Sequence, residues 1–123
     1  MNSSDTPDQS VVDFNRALTR VAGDESMLRE LAQIFLQESP NWLDQLEEAI
    51  NEGEANGAFR AAHDIKGSTE VFCAESAAQA AKTIERMGRQ GELEGADEAL
   101  GALKAELVWV RNALEQYLEA GQG

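Results

Sequence analysis

Only one cysteine and one histidine occur in the 123 residues. Cys73 alone cannot close an internal disulfide, and Cys73 with His63 falls short of the three or four nitrogen and sulfur ligands usual around zinc. Disulfide scaffolds and zinc centres of that kind are excluded, and no metal ligands are assigned. Basic residues are also scarce: 10 Lys and Arg stand against 23 Asp and Glu, a formal charge of −13. So acidic a surface repels phosphate backbones and anionic lipid, which argues against nucleic acid and membrane partners. No apolar run approaches the roughly 20 residues that cross a bilayer. The opening "MNSSDTPDQS" lacks the basic and apolar blocks of a secretory leader. A soluble, cytoplasmic protein is expected. No run alternates β-branched and polar residues, so there is little from which to build a sheet.

What is present is helical periodicity over enough apolar residues, 42% of the chain, to bury one core. Residues 1–10 and 120–123 read as flexible tails around a single domain, 11–119. "VVDFNRALTRVAGD" gives a short first helix ending near Gly23, with Asp24 placed to cap the next. That second helix, about 25–39, carries Leu28, Leu31, Ile34 and Phe35 on one stripe. Pro40 suits the first turn of a third, which runs to about Asn51. Further helices are expected over 55–72 and 75–90, and from "GELEG" to about Glu119, where Leu93, Ala96, Leu100, Leu103, Leu107, Val110, Leu114 and Leu118 form an apolar stripe. The fold class is all-α: an antiparallel four-helix bundle with one or two short N-terminal helices, and a monomer, because the apolar faces are used within the bundle. Trp42 and Trp109 read as core or half-buried packing residues, and Cys73 as a small, partly buried hydrophobe.

His63 lies in "AAHDIKGSTEVF". On a helix at 100° per residue, Ala58, Ala62, Ile65, Thr69 and Phe72 share the core face, and His63 falls roughly 130° from its centre. It faces outward, beside Phe59, Lys66, Gly67 and Glu70. A surface histidine is ordinarily only a polar residue, but two neighbours argue otherwise. Gly67 in mid-helix costs about 0.8–1 kcal/mol relative to alanine, and no turn calls for it, so bulk is unwelcome beside the imidazole. Lys66 stabilises negative charge arriving at the ring. Residues 60–89 are moreover locally basic in an acidic chain, with five cations against four carboxylates. Together these suit a nucleophile that accepts a phosphoryl group. "IKGST" is not a phosphate-binding loop: the order is wrong and no strand precedes it.

"AHDIKGS", the downstream "AAKTIERMGRQGE" and the upstream "FNRALTRVAGDESMLRELAQIFLQESPNWLDQLEEAI" together resemble the histidine-containing phosphotransfer (HPt) domains of bacterial and fungal multistep phosphorelays. The resemblance covers about residues 12–116. It implies a phosphocarrier without ATP-dependent kinase activity of its own. His63 would take a phosphoryl group from a receiver-domain aspartyl phosphate through its distal ring nitrogen and pass it to another receiver aspartate. Lys66 would balance phosphate charge, Gly67 give the receiver room, and Ser68 order the helix or hydrogen-bond near the site. Glu85 would orient the imidazole, and Arg89 contact the phosphate or the partner. Phe59, Arg60 and Glu70 are the docking candidates. The implied partners are response-regulator receivers and a hybrid sensor histidine kinase, with no cofactor on this chain and magnesium on the receiver. The sequence departs from the family at Glu70, where a small residue is usual, and at Cys73, where glycine is usual. The second change raises the expectation of a different helix end, since a left-handed cap is costly with a Cβ. Two other readings stand beside this one: a helical adaptor or degenerate module that binds without phosphotransfer, and a small catalytic bundle using His63 as general base.

Overall fold

Two aspartates open the first two helices. The Asp13 side chain accepts from the backbone N–H of Arg16 and starts α1, Phe14–Arg20. Asp24, as expected, accepts from Met27 N–H and starts α2, Glu25–Asn51. There follow α3, Ala55–Val71, α4, Glu75–Gln90, and α5, Ala96–Ala120. The computed structural model describes residues 11–120. The expected tail segments 1–10 and 121–123 lie outside the described residues, while Ala120, read as tail, is still helical.

One expectation fails at Pro40. No break occurs there: α2 is a single 27-residue helix with Pro40 inside it. Proline has no N–H to give the carbonyl four residues back, and its ring crowds that carbonyl. The orphaned group is the carbonyl of Leu36, and Arg111 on α5 supplies the missing donor, Nη1 to Leu36 O at 2.9 Å. The same nitrogen donates to Ser39 Oγ. A tertiary contact thus replaces a helical hydrogen bond, which sequence periodicity does not reveal. Arg111→Met is expected to destabilise the bundle by about 1–3 kcal/mol, the cost of a polar group left without its partner. In a Pro40→Ala background, where residue 40 again donates to Leu36 O, the loss should be smaller. Urea unfolding of the four members of this cycle measures the coupling.

Helices α2 to α5 pack in a ring in which each touches its neighbours in sequence, α3 and α4 most extensively, and α5 closes on α2. Short connections make successive helices antiparallel. Phe35, Phe72, Leu28, Leu46, Ile65, Ile84, Leu103, Leu107 and Leu114 fill the centre, and Phe35 meets both Trp42 and Phe72 edge-on at 5.7 Å. The stripe expected in α5 is buried from Ala96 to Leu114, and Leu118 is partly buried. Two assigned packing residues are not buried: Ile34 is 46% and Trp109 51% exposed. Each sits one residue, about 100° of helix, from a core position, Phe35 or Val110, that already fills the space inside.

α1 lies over the end of the bundle where α3 turns into α4. Asp13 N–H donates to Phe72 O at 3.2 Å, Arg20 Nη1 to Glu70 O at 3.0 Å, and Phe14 stacks on Tyr117 at 4.7 Å. At the turn itself the sequence expectation is corrected. Cys73 takes the left-handed conformation, φ +53, and α3 ends as a glycine-capped helix would, with Cys73 N–H on Glu70 O and Ala74 N–H on Thr69 O. Burial of the Cys73 side chain, 7% exposed, offsets the cost of its Cβ there.

Candidate functional site

The most extensive helix contact in the bundle is between α3 and α4, and one glycine draws them together. A Cβ on Gly88 would fall 2.7 Å from Phe59 N, 2.8 Å from Ala55 O and 2.9 Å from Phe59 Cα. All three are backbone atoms, so the helices touch main chain to main chain. Alanines at 58, 62, 77 and 81, all buried, keep the rest of this seam narrow. One turn before Gly88, Glu85 is thereby carried under the outer face of α3.

There Glu85 meets His63. The imidazole sits midway along α3 with its side chain 59% exposed, whereas the Glu85 side chain is 4% exposed. His63 Nδ1 lies 2.6 Å from Glu85 Oε2, and Lys66 Nζ donates to Glu85 Oε1 at 2.9 Å. Burial pushes the Glu85 carboxyl up, but hydrogen bonds from His63 and Lys66, with their charges, together outweigh it and hold the group below the ordinary glutamate value. An ionised carboxylate only accepts, so Nδ1 must carry the proton. A neutral His63 ring is therefore fixed as the Nδ1–H tautomer, with its lone pair on Nε2.

Two further residues hold the plane of the ring. Phe59, half-buried, stacks on His63 with centroids 5.9 Å apart and planes 18° from parallel. The Arg89 guanidinium lies over the Phe59 ring, 5.4 Å from its centroid, and its Nη2 is 3.9 Å from Glu85 Oε2. Glu85, His63, Phe59 and Arg89 thus close a loop of contacts around an exposed imidazole.

The Hpt domain model matches residues 30–120, well over half of the chain. The chain belongs to the Hpt domain family. Its fold is similar to the crystal structure of histidine-containing phosphotransfer protein B (HptB) from Pseudomonas aeruginosa PAO1, with a TM-score of 0.83 and 24% identity over 94% of this chain and 97% of that one. No curated protein matches it in sequence.

Of the residues singled out from the sequence, this Hpt domain brings His63, Lys66, Glu85, Arg89 and Phe59 together. Arg60 is exposed on the flank of α3 that faces α2, and Glu70 is exposed toward α1. Ser68 is not at the site: five residues on, it lies roughly 140° round the helix from His63. The hydroxyl that orders the helix is that of buried Thr69, which donates to Ile65 O and Lys66 O. Lys66, expected to balance phosphate charge, donates to Glu85 Oε1. Gly88 stood in the quoted motif without a role, although a glycine inside a helical pattern was signal enough to ask what approaches it. Among the described residues no cluster of three or more His, Cys, Asp or Glu side chains is placed to hold a metal ion, and no helix is long and apolar enough to cross a membrane.

Gly67 differs from Gly88. A Cβ there meets nothing within 4 Å, so the fold does not require the glycine, and the space it leaves opens to solvent beside His63. Gly67→Ala is expected to stabilise the domain by about 0.8–1 kcal/mol, seen as a higher Tm, while slowing transfer from a receiver and leaving loading by a small phosphodonor unchanged.

Proposed function

We propose that this Hpt domain is a phosphorelay carrier in which His63 Nε2 accepts a phosphoryl group from a receiver aspartyl phosphate and yields it to the aspartate of another receiver. The observation that carries the reading is the exposed imidazole whose Nδ1 is already taken by the buried carboxylate of Glu85. Nε2 attacks phosphorus in line with the leaving carboxylate oxygen. The N–P bond forms as the P–O bond breaks, and the donor aspartate departs as a carboxylate. No proton has to be removed from Nε2, because that atom holds the lone pair. The ring becomes cationic as it is phosphorylated, and Glu85, facing Nδ1–H, stabilises that charge. In the return step an aspartate oxygen attacks phosphorus, and the N–P electrons go back to Nε2.

Lys66 keeps Glu85 ionised and in place. Arg89, exposed and held by no contact with Glu85 shorter than 3.9 Å, is the cation free to swing onto the phosphoryl oxygens. Phe59, Arg60 and Glu70 border the face on which the receiver docks, and Gly67 provides its clearance. The chain acts as a carrier rather than a kinase, and the magnesium of the transfer is assigned to the receiver, beside its aspartyl phosphate. Intact mass after incubation with phosphoramidate tests the reading. One acid-labile phosphoryl group is expected on the parent and none on His63→Gln. A parent that stays unmodified by phosphoramidate and by every member of a receiver panel would overturn it in favour of a helical adaptor.

A further inference from the structure

A groove beside the site shares only Lys66 with the chemistry just described. It lies between α1, α3 and α4, encloses about 520 Å³, and is lined by Arg16, Arg20, Lys66 and Lys82 together with Glu70 and Glu75. Four cations face two carboxylates there, in a chain whose net charge is −13. Arg16 pairs with Glu75 at 3.0 Å, Arg20 reaches the carbonyl of Glu70, and Lys66 serves Glu85. Lys82 is exposed and makes no ion pair among the described residues.

The groove is continuous with the site through Lys66, and it is close. Glu70 is seven residues from His63 along α3, about 10 Å at 1.5 Å per residue. An ordinary protein interface covers about 800 Å² on each partner, a disc about 16 Å in radius. Any domain that presents an aspartyl phosphate to Nε2 therefore overhangs the groove. On the opposite flank of α3 the sign reverses, since the cleft against α2 is lined by Glu48, Glu52, Glu54 and Asp64 with Arg60 as the only cation.

We infer that the groove between α1, α3 and α4 is the counter-surface for an acidic edge of the docking receiver, and that it sets which way round the receiver sits on His63. The inference rests on the phosphocarrier reading. Charge complementarity of this kind acts mainly on encounter rate and orientation, so its signature is kinetic and dependent on salt. Arg16, Arg20 and Lys82 are then specificity residues supplied by two helices that do not carry the histidine.

The test uses Lys82→Glu, which reverses a charge that supports no internal contact. Its control is Asn112→Asp/Gln116→Glu, which changes net charge equally at two exposed positions of α5, across the bundle from α3. Loading of both variants and the parent by phosphoramidate is measured first, and each unphosphorylated protein is assayed separately with the receiver that exchanges fastest with the parent in a panel of receiver domains. All three proteins should load alike. At low salt, transfer from the phosphorylated receiver should fall about tenfold in Lys82→Glu and less than twofold in the control, with the gap closing in about 0.5 M salt. Equal transfer by Lys82→Glu and the control at low salt, with normal loading, overturns the docking inference and leaves the carrier reading standing. A parent that neither loads nor exchanges overturns both.

Discussion

Gly88→Ala is expected to destabilise the domain by about 1–3 kcal/mol, the usual cost of an overpacked contact, although alanine is the better helix former by about 1 kcal/mol. The sign follows from what the new methyl would meet. Phe59 N, Ala55 O and Phe59 Cα, all within 2.9 Å, belong to a helical backbone and have no rotamer into which to retreat, so α3 and α4 must move apart. Against a total stability of about 5–15 kcal/mol this is a large fraction, visible as a Tm lowered by several degrees. The functional loss should be disproportionate. Glu85 is one turn from Gly88, and its 2.6 Å contact with His63 Nδ1 does not survive separation of the helices. Phosphoramidate loading measured well below the variant's Tm should therefore be slower than in the parent. Loading at the parental rate by a folded Gly88→Ala protein would show that helix separation does not govern the site.

Glu85→Gln is expected to slow loading of His63 about tenfold while keeping the shape of the site. The carboxylate accepts from both His63 and Lys66. An amide offers one oxygen and one NH2 group, and the Lys66 ammonium, having no acceptor, claims the oxygen. The NH2 then faces Nδ1, which has to accept. The proton moves to Nε2 and the lone pair leaves the atom that should attack phosphorus. Restoring the productive tautomer gives up about one hydrogen bond, roughly 1–1.5 kcal/mol, or about a factor of ten in rate. Nitrogen-15 NMR of the imidazole reads the tautomer directly, and an unchanged Nδ1–H form in Glu85→Gln would refute the mechanism. The same variant alters the response to acid. Because the Glu85 carboxyl is held below its ordinary value, its contribution to stability is fully present above about pH 4.3 and is lost as the pH falls through the lowered value. Unfolding free energies measured from pH 6 down to pH 3 should fall less steeply for Glu85→Gln than for the parent.

The sequence made the helical class and the outward direction of His63 readable because both follow from 100° periodicity. Asp24 as a cap and the leucine stripe of α5 were readable for the same local reason. The continuity of α2 through Pro40 was not, since the donor that satisfies Leu36 O comes from Arg111, 75 residues away. The end of α3 was readable to one residue, but not the left-handed cap at Cys73, because a local rule, the cost of a left-handed residue with a Cβ, met a tertiary gain from burying the side chain. At the site, Glu85 and Arg89 entered through family resemblance, and only the structure shows that Lys66 is tied to Glu85 and that Gly88 closes the seam; that Ser68 points away from His63 follows from the same 100° periodicity. Exposed Trp109 carries the same lesson: amphipathic spacing locates a stripe to within about one residue, and one residue separates core from solvent.

His63 and the carboxylate that fixes its proton sit on different helices, so competence at the histidine belongs to the folded bundle and not to the segment "AHDIKGS". A molecule whose α3 and α4 have come apart keeps its histidine and loses the tautomer control that makes Nε2 nucleophilic. Opening of the α3–α4 seam is therefore expected to slow loading of the carrier while leaving its nucleophile chemically intact.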